Sequence, residues 1–329
     1  MLKNKYNIAV IGATGLIGRT FLKVLSEYSF PIGTLRIFAS DSSEGKLLNF
    51  KDTAIAVERL SERCFKNTDI VFFSAGKQVS LDWAEKAEKD GALVIDNSSA
   101  FRMKIGVPLT VPEINVCNPL TGRIIACPDS VTIQCVLPLS ALNTAYGLKR
   151  VNYCTYESVS GSGKKGVSDL FKTEYGFTPN FYPYNISKTC IPKIGEFSEY
   201  GYTEKEIKII NETKKILRLP KLKVSATCIR VPVEKCHGVT VSAEFVRPYN
   251  LAEVFGILKK QKSLKVLEIP EIPLSVTAAG SDTVYVGRIR NDVASKNGII
   301  FYAVADNTRK GSATNAVQIA LKLMEDNLL

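Results

Sequence analysis

Histidine is nearly absent from this chain of 329 residues: it occurs once, as His237. That count excludes a metal centre built from several imidazoles, and no metal site is expected. It also routes any imidazole acid–base chemistry through one ring. Long apolar runs are missing too. The longest are of the size of Ile8-Ala-Val-Ile11, far below the roughly 20 residues that cross a bilayer, so no membrane partner is expected. The opening MLKNKYNIAVIGATG holds no apolar stretch of about 7–15 residues with a cleavage site, and a cytoplasmic location is the expectation. Eight cysteines are present, at 64, 117, 127, 135, 154, 190, 228 and 236, but no CxxC pair. Most lie in apolar, strand-like surroundings, which speaks against a disulfide framework or zinc site and for a reducing compartment. Basic residues exceed acidic ones, 43 to 32, for a formal net charge of +11. The excess admits anionic partners. It contains no long basic run and no zinc-finger or RRM signature, so nucleic acid is not expected. A P-loop is excluded as well, since Gly163-Lys164-Lys165 lacks the upstream glycine and the downstream Ser/Thr. No internal repeat or low-complexity linker is visible.

What is present is an ordinary globular composition, 45% hydrophobic and 23% charged, long enough for one large or two ordinary domains. The first part alternates strand and helix signals. Apolar strands are expected at Tyr6–Ile11, Leu35–Ala39, Asp69–Phe73 and Ala92–Asp96, with helical stretches between them such as Trp83–Asp90. This is the rhythm of a doubly wound parallel sheet. From about residue 149 the pattern changes. Strands are expected at Val151–Val159, Lys223–Arg230, Val239–Arg247, Gly280–Ile289 and Gly298–Ala305, with helices at Thr203–Leu217, Leu251–Gln261 and Ser312–Asn327.

Gly12, Gly15 and Gly18 follow the first strand and precede a helix. Glycine lets the backbone turn tightly and approach a pyrophosphate, which the helix N-terminus stabilises. Taken alone, this GxxGxxG spacing is compatible with a dinucleotide site or with a plain strand–helix turn.

Several motifs together resemble the aspartate-β-semialdehyde dehydrogenase family: IGATGLIG (11–18), FSAGKQVS (73–80), DNSSAFRM (96–103), VPEIN (111–115), TIQ (132–134), VSGSGKKG (159–166), GYTEKEIKIINETKKIL (201–217), RVPVEKCHG (230–238) and DNTRKGSATNAVQIA (306–320). The resemblance runs nearly end to end. It implies an α/β fold: a Rossmann-like N-terminal domain completed by the C-terminal helix (1–128 and 308–329), plus an α+β catalytic and dimerisation domain (129–307). It implies a homodimer or dimer of dimers, an NADP or NAD cofactor, and a small amino-acid-derived substrate in amino-acid biosynthesis. The family reaction is reductive dephosphorylation of aspartyl phosphate through a cysteine thioester. The resemblance places Ser130, Asp129 and His237 at the catalytic centre, with His237 as acid/base. Arg102 and Lys208 would hold phosphate, Arg230 the substrate carboxylate, and Glu157 and Lys205 would complete the substrate pocket. Cofactor contacts are implied at Gly12, Thr14, Gly15, Leu16, Ile17, Ser40, Asp41, Ser74, Ala75, Gly76, Ser160, Gly161 and Asn307.

The chain departs from the family at telling places. Where the family has A-N-P-N-C-S-T-I-Q, it reads Ala126-Cys-Pro-Asp-Ser130-Val-Thr-Ile-Gln134. The nucleophilic cysteine is Ser130, and the preceding asparagine is Asp129. The family glutamine is Glu157, and the glutamate that binds the substrate ammonium is Lys205, with Glu206 next to it. A serine hydroxyl needs an efficient base where a thiol ionises readily, and Asp129 adds negative charge where an oxyanion would form. The thioester route is therefore expected to be impaired. Cys127 and Cys236 are the neighbouring thiols that a rescue would have to use. Glu157 and Lys205 read as compensating charges of a remodelled pocket. In the cofactor loop the family arginine is Ser42 beside Asp41. An acid there suits a free ribose 2′-hydroxyl, while Ser40 and Lys46 suit a phosphate, so NAD and NADP both stay open. Three readings follow: a dehydrogenase of the family type, a reductase for another carbonyl or imine without a covalent step, and a catalytically silent cofactor-binding paralogue.

Overall fold

A computed structural model describes residues 4–115 and 122–329; Cys117 lies outside the described residues. The chain divides into two compact units, Met1–Pro128 with Ser312–Leu329, and Asp129–Gly311. The return to the first unit falls at Ser312, slightly beyond the expected 308.

The first unit begins with β1 (Tyr6–Ile11), α1 (Leu16–Glu27) and β2 (Ile32–Ala39), followed by the hairpin β3 (Leu47–Phe50) and β4 (Thr53–Arg59). It continues through β5 (Ile70–Phe73), α2 (Lys77–Lys89), β6 (Leu93–Asp96) and β7 (Ile124–Ala126). The seven strands lie in the order β3-β4-β2-β1-β5-β6-β7. All neighbours are parallel except the β3–β4 hairpin. β5 and β6 are wholly buried, which is why they read as unbroken apolar runs, as strands covered on both faces do. The sequence pattern misses the hairpin because both strands are largely exposed and β3, of four residues, lies at the sheet edge.

The second unit runs α3 (Ser130–Tyr146), β8 (Leu148–Glu157), α4 (Gly163–Glu174), α5 (Glu204–Ile216), β9 (Lys223–Arg230), β10 (His237–Phe245), α6 (Leu251–Lys260), β11 (Leu264–Val266), the short α7 (Ser275–Ala278), β12 (Val284–Asn291) and β13 (Gly298–Ala305). Its six strands lie in the order β11-β12-β13-β10-β8-β9. α3 is apolar and buried from Val131 through Leu139, around the whole helix, so it carries no amphipathic period for a sequence reading to detect. α5 starts at a reciprocal cap in which Thr203 and Glu206 each bond the other's backbone N–H. The chain then returns to the first unit as α8 (Thr314–Glu325), whose Ala316, Val317, Ala320 and Leu323 join Phe21, Leu25, Ile8 and Val10 in one core. Among the described residues no helix is long and apolar enough to cross a membrane, and no cluster of His, Cys, Asp and Glu could hold a metal ion.

Candidate active site

In the first unit, β1 ends in the glycine loop. Gly12 has φ +80°, and a Cβ on it would lie 2.8 Å from the Ser74 carbonyl oxygen; a Cβ on Gly18 would lie 2.2 Å from the Gly12 carbonyl oxygen. Both positions therefore require glycine. Gly15 caps α1 without any side-chain hydrogen bond, so the first helical N–H groups remain available to an anion. A cavity of about 490 Å³ opens there, lined by Gly12, Thr14, Gly15, Ser40, Asp41, Ser74 and Ala75 together with Ile11, Ala39, Leu60, Val79 and Trp83. The structure thus brings together seven of the expected cofactor residues. Leu16, Ile17 and Gly76 flank the loop ends but do not line the cavity. This cradle fits a dinucleotide: a bare helix N-terminus for the pyrophosphate, and an acid at the end of β2 for a ribose. No lysine or arginine lines it, Lys46 included. Arg102, in the same unit, is buried with its guanidinium donating to the carbonyls of Ser98 (3.0 Å) and Asn97 (2.9 Å).

In the second unit, strand register assembles the charged residues. Arg230 closes β9 opposite Glu157 at the end of β8. Tyr156 pairs with Gly238 on β10, which sets Glu157 abreast of His237. Three adjacent strands thus present Arg230, Glu157 and His237 side by side on the buried face. α3 and α5 supply the rest. Asp129 is the N-cap of α3, accepting from the Val131 N–H at 3.0 Å, and Lys205 lies in the first turn of α5. Lys205 Nζ is 2.7 Å from Asp129 Oδ1 and 3.1 Å from Glu157 Oε2; the three side chains are 13%, 14% and 1% exposed. Asp129, Lys205 and Glu157 are therefore direct partners in one buried ion chain. Burial by itself would lower the Lys205 ammonium; the two carboxylates outweigh it and raise it above its ordinary value. Arg230 stands 3.8 Å from Glu157 and donates to the Ser158 carbonyl.

His237 is 1% exposed. Its Nδ1 accepts the Ser158 backbone N–H at 3.1 Å, so the neutral ring carries its proton on Nε2. Burial pushes the imidazole down to about 4, against the opposing pull of Glu157, with Lys205 and Arg230 lowering it further. At neutral pH the ring is uncharged, and its 3.7 Å approach to Glu157 is a dipolar contact, not an ion pair. Gly161 packs over this group. A Cβ there would lie 3.2 Å from His237 Nε2 and 2.7 Å from an Arg230 nitrogen, so glycine keeps the space in front of both.

Ser130 opens α3 beside Asp129 and is backed by Gly311. Among the described residues no hydrogen bond joins its hydroxyl to His237, whose bonds go to Ser158. Neither neighbouring thiol offers a substitute nucleophile. Cys127 is fully buried in the first unit, and burial pushes the Cys236 thiol up to about 12. Lys208 does not join the cluster; it is 39% exposed and faces Glu204 one turn back, at 3.5 Å. Glu206, the other candidate for an ammonium site, is consumed by the helix cap and by the Cys228 N–H at 2.9 Å. Ser160 and Asn307, expected at the cofactor, bond each other at 3.0 Å beside His237. The sequence reading overlooked Ser158, because its role follows from register and carries no motif of its own.

Comparisons with known proteins agree with this geometry. Residues 7–118 match the family model "Semialdehyde dehydrogenase, NAD binding domain", and residues 139–310 match "Semialdehyde dehydrogenase, dimerisation domain". The aspartate-semialdehyde dehydrogenase of Aquifex aeolicus is 43% identical over 338 residues, covering 98% of this chain and 99% of that protein. Aspartate-semialdehyde dehydrogenase 2 of Vibrio cholerae is 39% identical over 335 residues, covering 99% of both. The crystal structure of aspartate semialdehyde dehydrogenase II from Vibrio cholerae superposes with a TM-score of 0.93 at 39% identity, covering 98% of this chain and 99% of that one. A nucleotide cradle in the first unit, a register-built Arg–Glu–His row in the second, and full-length similarity on this scale place the chain in the aspartate-semialdehyde dehydrogenase family.

Proposed function

We propose that this chain is an NAD(P)-dependent oxidoreductase that acts on the carbonyl or imine carbon of a small amino-acid-derived substrate by direct hydride transfer, with the phosphorylating thioester route disabled. The observation that carries this reading is the Lys205 ammonium buried between Asp129 and Glu157, next to a serine without a base. Asp129 and Glu157 balance Lys205 and Arg230, and His237 is neutral, so the cluster has no net charge. A substrate whose carboxylate and ammonium cancel, as in the semialdehyde for which the relatives are named, suits it. An acyl phosphate would bring uncompensated negative charge against Asp129, which a desolvated site penalises. The bound nicotinamide cofactor supplies or accepts the hydride. The chain's own part is to hold the substrate carboxylate on Arg230 and to polarise the carbonyl oxygen through His237 Nε2–H. The oxygen formed by hydride addition takes its proton from solvent. The family's dimerisation domain and the exposed Tyr175, Phe177, Tyr184, Phe197 and Tyr200 support a homodimer; a dimer of dimers is the larger assembly consistent with it.

The test offers aspartate semialdehyde and longer amino-acid carbonyls with NAD(P)H, and separately aspartate semialdehyde with phosphate and NAD(P)⁺. Phosphate-independent reduction of at least one carbonyl is expected, with no measurable phosphate-dependent oxidation. Phosphate-dependent turnover at the rate of a cysteine relative would overturn the reading. Failure to reduce any carbonyl despite cofactor binding would favour the silent paralogue.

Asp41 in the cradle, with no cation lining it, also favours NAD over NADP, since a ribose 2′-phosphate would meet a carboxylate. Dissociation constants from cofactor fluorescence should favour NAD by at least about tenfold, and Asp41→Asn should narrow the gap by about tenfold, roughly 1.4 kcal/mol. Tighter binding of NADP by the natural chain would refute this.

A further inference from the structure

We propose that Trp83, together with Leu60 and Val79, forms the slot that takes the adenine ring of the cofactor. The slot belongs to the dinucleotide cradle of the first unit and rests on that reading; none of its three residues was expected at the cofactor from the sequence. The order of the cavity walls carries the assignment. At the edge of the sheet where the parallel strands end, β1 leads into Gly12 and the bare N-terminus of α1, the place for phosphate. Its neighbour β2 leads through Ala39 into Ser40 and Asp41, the place for a ribose. β4 lies beyond β2, and its last residue, Arg59, pairs with Ala39, so Leu60 leaves the sheet abreast of Ser40. Val79 and Trp83 come from α2, four residues apart and on one helix face. All three line the cavity and are half-buried. Asp41 is the one charged residue of that lining. With phosphate at α1 and ribose at Asp41, the flat apolar part of the adenosine half falls to Leu60, Val79 and Trp83.

The indole is built into the fold. Phe65 meets it nearly at right angles, 72° with ring centres 6.4 Å apart. Phe65 is itself 1% exposed and packs on Phe38 of β2 at 6.1 Å and on Phe73 of β5 at 6.3 Å. An aromatic row thus ties Trp83 to the two strands that flank β1. Lys86, three residues further along α2, holds its ammonium 4.1 Å from the centre of the indole and is tied to Glu62 at 2.9 Å. These contacts set the attitude of the ring before any cofactor arrives, so binding does not have to order it. A fixed aromatic surface beside an apolar wall is what a purine base stacks on.

Trp83 is the only tryptophan of the chain, so indole emission from the full-length protein reports this one wall without any turnover. NAD and AMP should each quench that emission and shield it from acrylamide, and AMP should displace NAD. Nicotinamide mononucleotide, which lacks the adenine half, should leave the emission unchanged. In calorimetry Trp83→Ala should bind NAD and AMP about tenfold to a hundredfold more weakly, the size of one base stacked on an aromatic ring, while Trp83→Phe, which keeps a flat ring, should stay within about threefold. Leu60→Ala should weaken both ligands by about fivefold through lost apolar contact. NAD binding that leaves the indole emission and its acrylamide access unchanged would overturn the proposal and leave the cradle standing. So would undiminished NAD affinity in Trp83→Ala or, should that variant not fold, in Leu60→Ala. Calorimetry showing no binding of NAD or NADP to the natural chain would overturn the cradle and the slot together, so the two failures are told apart.

Discussion

Replacing Lys205 by methionine is expected to cost about 3–5 kcal/mol of folding stability, the usual penalty for removing one member of a buried ion pair. Methionine nearly conserves volume, so the loss is electrostatic and not a cavity effect. Lys205 is the shared partner of two carboxylates, at 2.7 Å from Asp129 and 3.1 Å from Glu157. Without the ammonium, Glu157 keeps Arg230 at 3.8 Å, while Asp129 loses the charge 2.7 Å away and keeps its cap to Val131 N. In a thermal scan near pH 7 the midpoint should fall by about 10 °C. The pH range matters for the comparison. Because the folded-state Lys205 is raised above its ordinary value, its contribution is fully present below that ordinary value and fades only as alkaline pH climbs past it. Neutral buffer therefore measures the intact cluster. Adding Asp129→Asn to Lys205→Met should recover part of the loss, since Glu157 then keeps Arg230 and the carboxylate that lost its ammonium is gone. A midpoint that Lys205→Met leaves within a degree of the natural chain would show that the ion chain does not form.

A cysteine placed at position 130 by itself is expected to fail. In the Ser130→Cys variant, phosphate-dependent oxidation of aspartate semialdehyde should stay at least about a hundredfold below that of the combined Asp129→Asn, Ser130→Cys, Glu157→Gln and Lys205→Glu variant. That is the size of effect lost when one contact to a developing oxyanion is removed. The reason lies next door. Asp129 adjoins position 130, and its charge opposes formation of a thiolate there; each unit by which a thiol is raised costs tenfold in thiolate near neutrality. Lys205 cannot offset this, because it is already shared between Asp129 and Glu157. Initial rates of NAD(P)H formation for the single, triple and quadruple variants separate the contributions. If Ser130→Cys alone matched the quadruple variant, the three charges would be bystanders and the remodelled pocket would be wrong.

Much of the architecture was legible from periodicity. The boundaries expected for Tyr6–Ile11, Lys223–Arg230 and Gly298–Ala305 coincide with observed strands, because each is a clean apolar run or alternation. α3 was not legible, since a helix buried on every side has no polar face to mark its turn. The β3–β4 hairpin was missed for the opposite reason: its exposed edge strands bury too little to impose a pattern. Lys208 shows what a motif leaves open. Its place in the GYTEKEIKIINETKKIL segment implied a phosphate ligand; in the fold its ammonium lies 3.5 Å from Glu204, one helical turn back.

By itself the sequence determined the family, the two-part α/β plan and the glycine loop. These follow from local chemistry: glycine at positive φ, alternating apolar strands, residue identity at a motif position. The sequence suggested Glu157 and Lys205 as compensating charges but did not join Asp129 to them, and nothing local tied His237 to Ser158 or Asn307. The tertiary structure decided those points, because they depend on strand register and on two helix starts converging from positions 129 and 205. Ion pairing acts over a few ångströms, and only the folded chain brings those residues within that range.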